Sequence, residues 1–356
     1  AETVTVMKDG GADFTSIQAA IDSVDPTDGD PDVIQILDGA TYEEQVVLGG
    51  LPPIDEATGD FIGALVEQNR DPITLMGPDS GDRPAISPNV GDIINYGVFE
   101  DDPGDNFAAA LVYFGKNITI ENVIVQQPGD GPYGVNGQGV EITFSNVLFN
   151  VKPDFMNFNN SDRVADYFDQ TPNDVLFDGC VWDGMMDDGT KYPNTFIYYH
   201  GTNGGGVDGE EQKNVTPITF QDCTFMNAGS DLTRLRSRDA AQDDVDQSML
   251  NCVFKDNDGN SLNFDGGGEK VADRCIFVNN VNSLDVSIPQ GDNGAIRIRG
   301  RSGRTGTVTI SNCIFSNNAS FEAYADPAAD QWAAILVGND GNDGPITIDQ
   351  DRKSTR

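Results

Sequence analysis

ISNCIFSNN, residues 310–318, is one copy of a phrase that returns six more times. Its relatives are ITIENVIVQ (118–126), ITFSNVLFN (142–150), VLFDGCVWD (175–183), ITFQDCTFM (218–226), SMLNCVFKD (248–256) and VADRCIFVN (271–279). Aligned, one column reads Val123, Val147, Cys180, Cys223, Cys252, Cys275, Cys313, and holds all five cysteines of the chain. Two residues on stands Val125, Phe149, Trp182, Phe225, Phe254, Phe277, Phe315. Steps along the first column are 24, 33, 43, 29, 23 and 38 residues. The minimal unit is therefore the 23-residue step, and the excess is inserted loop. Apolar and polar residues alternate inside each phrase, the period of a strand with one buried face. A strand-period repeat of this length is the signature of a β-solenoid, with coils stacked at about 4.8 Å. The Cys and Phe columns are expected to point inward as ladders. Asn227, Asn257, Asn279, Asn280, Asn317 and Asn318 follow the Phe column, where the chain must turn. Asparagine tolerates left-handed backbone there, and stacked amides can bond along the axis.

Cysteines confined to one inward column read as small apolar core residues rather than a disulfide framework. Adjacent coils bring Cys252 and Cys275 within range for one bond at most. A solenoid grows along one axis, so all 356 residues are assigned to a single domain, with repeated coils over 118–348. Acidic residues outnumber basic ones 58 to 21, a net charge of −37. Such a surface repels nucleic acid and anionic membranes. Adaptation to high salt, calcium loading and plain solvation are the three readings that fit it. No run is long and apolar enough to span a membrane as a helix. The opening AETVTV goes directly into strand-like sequence, which fits an exported chain acting outside the cell or at its surface.

Upstream of the repeats, DFTSIQAAIDSV (13–24) carries Thr15 as an expected N-cap with Gln18 three residues on. Ile17, Ala20, Ile21 and Val24 line one face of the short helix that follows. VIQIL (33–37) and DGATYEEQVVL (38–48) read as the first coil. GADFTSIQAAIDSV followed by VIQILDGATYEEQV resembles the N-terminal cap and first coil of right-handed parallel β-helix proteins of the pectinesterase and pectate-lyase type. That resemblance covers residues 9–47 closely and 118–318 through the general repeat. It implies an all-β, right-handed parallel β-helix with a short capping helix and long inserted loops. It transfers no catalytic residue. The glutamine-rich strand pair, two aspartates and LGRPW-like arginine of pectinesterases are not found, nor is the calcium-binding cluster of pectate lyases.

Chemistry is expected on the strand after each phrase: FIYYHG (196–201), TRLRS (233–237), LNFDG (262–266), IRIRG (296–300) and AILVG (334–338). Aligned on the residue before the turn, Tyr199, Leu235, Phe264, Ile298 and Leu336 face inward. The outward lines are then His200, Arg236, Asp265, Arg299, Val337 and Tyr198, Arg234, Asn263, Arg297, Ile335, with Arg238 and Arg301 extending the patch. Four of the thirteen arginines and the sole histidine lie in these segments, and Arg238 and Arg301 just beyond them bring the patch to six arginines. Outward arginines on adjacent strands repel, and folding does not ask for them. Guanidinium forks are suited to carboxylates and sulfates. An acidic polysaccharide is the expected partner, bound or cleaved as in a polysaccharide lyase. Tyr198, His200, Arg236 and Arg299 are the catalytic candidates, and Arg234, Arg238, Asn263, Asp265, Arg297 and Arg301 the binding ones. A hydrolase needs two placed carboxylates, and only Asp265 stands here. The competing readings are arginines paired with loop carboxylates, a self-assembling filament, sheath or surface-layer subunit, and a glycan-binding adhesin module. Calcium is the expected cofactor if there is one, at Asp256, Asp258 and Asn260 of DNDGN and at Asp340 and Asp343 of GNDGNDG.

Overall fold

The computed structural model describes residues 2–25, 27–49, 71–94, 98–99, 102–106, 109–126, 133–150, 156–160, 175–185, 189–191, 197–201, 218–229, 233–237, 246–258, 261–265, 268–280, 294–299, 306–318, 333–337 and 345–349. The chain divides into two compact units. One is Ala1–Asn150 with Met156–Cys180 and Gly204–Gln212, the other Val151–Phe155 with Val181–Asn203 and Lys213–Arg356. Each is built as coils of the right-handed parallel β-helix that the repeat implies, with the described strands stacked in parallel on the faces of the coil.

In the first unit one face stacks Glu2–Val6, Asp32–Ile36, Ile73–Met76 and the second halves of Ala109–Glu121 and Tyr133–Ser145. All of these pairs are parallel. Thr41–Tyr42, Ala85–Ile86, Ile124–Gln126 and Leu148–Asn150 stack likewise on a second face. In the second unit the faces are as regular. Ile218–Gln221, Gln247–Leu250, Gly268–Asp273, Gly306–Ser311 and Ile346–Asp349 form the first. Val181–Asp183, Thr224–Met226, Val253–Lys255, Ile276–Val278 and Ile314–Ser316 form the second. Ile197–Gly201, Thr233–Ser237, Leu262–Asp265, Gly294–Arg299 and Ala333–Val337 form the third.

The columns seen in the sequence are the core. In the second unit Trp182, Phe225, Phe254, Phe277 and Phe315 stack at centroid distances of 4.5, 4.8, 4.7 and 4.9 Å, with ring planes within 11° of parallel. That spacing is the rung repeat itself, so the aromatic column reports the coil period directly. All five cysteines are buried as free thiols. Each Sγ donates to a backbone carbonyl, as Cys252 does to Phe220 O at 3.4 Å and Cys275 to Met249 O at 3.3 Å. Hydrogen bonds with Cys223 and then Cys275 hold the Cys252 thiol below its ordinary value. Those made with Cys252 push Cys275 up, and the bond with Cys275 does the same to Cys313, with burial adding to both.

The asparagines separate into two groups. Asn227, Asn279 and Asn317 take left-handed backbone at φ of 61°, 54° and 51°, as expected of the turn. Asn257, Asn280 and Asn318 instead turn inward and form a continuous amide ladder. Asn257 Nδ2 donates to Asn280 Oδ1 at 2.9 Å, and Asn280 Nδ2 donates to Asn318 Oδ1 at 3.0 Å. The same Nδ2 groups donate to the carbonyls of Phe225, Phe254 and Phe277 one coil back. A second left-handed position stands just before the Val/Cys column, at Asn122, Asn146, Gly179, Asp222, Asn251, Arg274 and Asn312. Six of these seven are types that adopt it cheaply; Arg274 is the strained one.

The N-terminal helix is Ile17–Ile21, shorter than the 13–24 segment, with Ile17, Ala20 and Ile21 buried. Its N-cap is Ser16, not Thr15, with Ser16 Oγ accepting from Ala19 N at 3.1 Å. The reciprocal carboxylate comes from Glu44, far along the chain. It accepts from Ile17 N at 2.7 Å, Gln18 N at 3.2 Å and Ser16 Oγ at 2.6 Å. A charged acceptor on two otherwise unpaired helix N–H groups ties the helix to the first coil. Glu44→Ala is expected to lower stability by about 2 kcal/mol, and Glu44→Gln by roughly half that, measured by urea denaturation.

Asp32, first residue of its strand, is 2% exposed, and its Oδ1 has no hydrogen-bond partner. Burial, then the nearby Asp28, Asp71 and Glu2 carboxylates, raise its pKa above the ordinary 3.8. A carboxyl with a raised folded-state pKa favours the fold when protonated and costs stability as pH rises through the unfolded and then the folded value. Asp32→Asn is therefore expected to stabilise the protein at neutral pH by about 1 kcal/mol and to be neutral below the ordinary carboxyl range. Thermal melts at the two pH values check this.

Candidate functional site

The third face of the second unit carries the arginine-rich segments. A hairpin-free parallel stack sets residue against residue, so its register decides which side chains share a line. Tyr198 pairs with Arg234, Arg234 with Asn263, and Asn263 with Arg297. Alongside, His200 pairs with Arg236, and Asp265 with Arg299. Leu235, Phe264 and Ile298 share the line between them, as expected. The last strand departs from the expected register by one residue. Ile298 pairs with Val337 rather than Leu336, and Arg297 with Leu336 rather than Ile335. Aligning on the glycine after each strand missed this, because both strands run up to their glycine but pair one residue out of step with it. A one-residue slip exchanges the two faces.

Burial refines the strip. Leu262, Phe264, Ile296 and Ile298 are buried on the inward line. Asn263 and Arg297, on the outward line, are also buried, at 3% and 8% exposure. Both take part in polar interactions within the fold. The expectation of an open outward line is therefore corrected at these two positions: the strand is covered on both sides there. A guanidinium taken from water needs a partner or it is costly, and Arg297 is not available as an exposed fork. Tyr198, His200, Arg234, Arg236, Asp265 and Arg299 are placed by backbone register. Arg238 and Arg301 lie outside the described residues.

The two loops read as calcium sites are partly described. Asp256 has left-handed backbone, φ 58°, and its Oδ1 accepts from Asn279 Nδ2 at 3.2 Å. Asp258 Oδ1 meets the Lys191 ammonium at 3.0 Å. Both carboxylates are thus engaged in turn and loop contacts. Asn260, Asp340 and Asp343 lie outside the described residues. Among the described residues no three His, Cys, Asp or Glu side chains gather as a metal cluster, and no helix is long and apolar enough to cross a membrane.

Two polar residues not singled out from the sequence lie in the interior of the second unit. Gln247 and Lys270 pair in register on the first face and are each 1% exposed. Their column continues to Ile218 and Val308. Neither end of the Gln247 amide has a hydrogen-bond partner. Alternation counted back from the buried Met249 and Ala272 puts both residues on the inward side. At Asp273, Asn312 Nδ2 at 2.9 Å and Ser311 Oγ at 2.7 Å donate to the carboxylate and hold its pKa below the ordinary range.

No family model matches the chain, and no curated protein does. Among solved structures, the pectin methylesterase from carrot is similar to it with TM-score 0.48 and 14% identity, covering 98% of this chain and 82% of that one. The Aspergillus niger pectin methylesterase, in deglycosylated form, gives 0.47 and 13%, covering 98% and 84%. Pectin methylesterase PemA from Erwinia chrysanthemi gives 0.41 and 12%, covering 99% and 92%. Identities this low transfer neither a residue nor an activity to this chain.

Proposed function

We propose that the protein binds an acidic polysaccharide outside the cell, along the third face of its second unit. The observation that supports this most is the register itself. His200 and Arg236 share one line and Asp265 and Arg299 continue it, on strands one rung apart, in a chain of net charge −37. Arg236 and Arg299 lie two rungs apart on that line, with Asp265 between them, so the line offers two guanidinium positions for alternate anions of a chain laid along it. Rungs about 4.8 Å apart suit successive sugars of an extended polyuronate. In this reading Arg236 and Arg299 grip uronate carboxylates, and Asp265 accepts from sugar hydroxyls. Asn263 and Arg297 are the covered support beneath.

Cleavage by β-elimination is the finer form of the proposal. A guanidinium on the carboxylate acidifies the neighbouring C–H, and His200 or Tyr198 takes that proton. The glycosidic C–O bond then breaks toward the leaving oxygen, which needs a proton in return. A panel of polyuronates and sulfated glycans tests both forms, followed at the absorbance of unsaturated uronates, in high salt, with and without calcium. Unsaturated product lost in Arg236→Ala and Arg299→Ala supports cleavage. Binding without product leaves a glycan-binding module. Neither binding nor product with any acidic glycan overturns the proposal.

A second reading, a subunit that self-assembles, is favoured by exposed aliphatics. Ile276 and Ile314 pair on consecutive rungs of the second face and are 38% and 40% exposed, while Ile348 is 49% exposed. Size-exclusion chromatography separates the readings: ordered polymers favour the subunit, discrete particles the binder.

A further inference from the structure

On the third face of the second unit, residue type alternates from rung to rung. Arg236, Asp265 and Arg299 occupy one register line on three successive rungs. Beside them, Arg234, Asn263 and Arg297 occupy another on the same three rungs. Both lines thus place arginine on the outer two rungs and an acid or its amide on the rung between. Asn263 and Arg297 are buried, which leaves the line through Asp265 to meet a ligand.

The coil sets the spacing. Steps over these rungs, taken at Phe225, Phe254 and Phe277, are 4.8 and 4.7 Å, so the two arginine positions lie about 9.5 Å apart. With one sugar to a rung, that is two sugars. A glycan with a carboxylate on every sugar would be served by a third cation at position 265. Aspartate does the reverse, because it repels an anion there and accepts from a hydroxyl or an N–H. A like charge set against the wrong ligand gives selectivity rather than affinity. The net charge of −37 acts in the same direction, since it repels a polyanion more strongly the denser its charge.

We infer that this face is selective for an alternating glycan, in which each uronate is followed by a neutral or N-acylated sugar, and that Asp265 sets the preference. The inference rests on the reading of the face as a site for acidic polysaccharide. Arg236 and Arg299 take two uronate carboxylates, and Asp265 takes the uncharged sugar between them. Asp265 also lies in register with Arg299, and a role confined to steadying that arginine makes a different prediction.

The test is calorimetric titration of the full chain at one salt concentration with two ligands of equal length. One is hyaluronan octasaccharide, which alternates glucuronate with N-acetylglucosamine; the other is octagalacturonate, charged at every sugar. The wild type is expected to bind the alternating ligand about tenfold more tightly. Asp265→Asn should tighten octagalacturonate about tenfold and leave the alternating ligand within about threefold. Asp265→Ser serves if the asparagine variant fails to fold. Octagalacturonate bound as tightly as the alternating ligand by the wild type, or a ratio unchanged in the Asp265 variant, overturns the inference and leaves the polysaccharide reading standing. Weaker binding of both ligands in the variant also overturns it, because Asp265 would then only be steadying the arginines. If the wild type binds neither ligand the inference falls, and the polysaccharide reading falls with it when the wider panel of acidic glycans is also silent.

Discussion

Asn280→Ala is expected to destabilise the second unit by about 3–5 kcal/mol, a large loss for one substitution. The Asn280 side chain makes four contacts. Its Nδ2 donates to Phe254 O and Asn318 Oδ1, and its Oδ1 accepts from Asn257 Nδ2 and Asn257 N. Alanine leaves Phe254 O and Asn257 N without these side-chain partners in a fully buried setting, at about 1–3 kcal/mol for each orphan. Neighbouring amides share the network, so the loss exceeds that of one bond. Asn280→Asp keeps the acceptors but must remain protonated. Its deficit should grow as pH rises above the ordinary carboxyl range. Urea denaturation at acidic and neutral pH measures both effects, with the slope m unchanged if only stability has moved.

Phe254→Ala should cost about 3–5 kcal/mol by the other main mechanism, loss of packing. Phe254 lies between Phe225 at 4.8 Å and Phe277 at 4.7 Å, both stacked within 8° of parallel. Strands fixed by ladder hydrogen bonds above and below cannot collapse into the space, so the cavity persists. Phe254→Leu, which refills most of the volume, should lose only about 1–1.5 kcal/mol. If alanine and leucine cost the same, the stacked ring rather than the filled volume would be carrying the energy. Denaturation midpoints of the two variants decide between these.

The inward columns were legible because their cause is local. Burying one face of a strand forces alternation, and stacking identical coils forces the same residue type to recur at Cys223, Cys252, Cys275 and Cys313. The division of the asparagines was less so. Asn279 and Asn280 are neighbours of one type, and only backbone conformation tells the left-handed turn from the interior ladder. Glu44 could not be identified as the helix cap, because its helix is 27 residues back at Ile17 and the contact depends on the first coil closing.

The same limit applies at the candidate site. Alternation placed Asn263 and Arg297 on the outward line, and the register agrees. Period-two patterning says which side of a strand a residue takes and nothing about what lies over that side. The burial of Arg297 was therefore invisible in IRIRG, as was the one-residue shift at Ala333–Val337.

Calorimetric titration of uronate oligomers into the wild type and the Arg236→Ala/Arg299→Ala double variant, at low and high salt, tests the central claim most directly. The account predicts binding that weakens with salt, and at least tenfold weaker binding in the double variant, about 1.4 kcal/mol, with unchanged melting temperature. Equal affinity in the two proteins, or no binding by either, would contradict it.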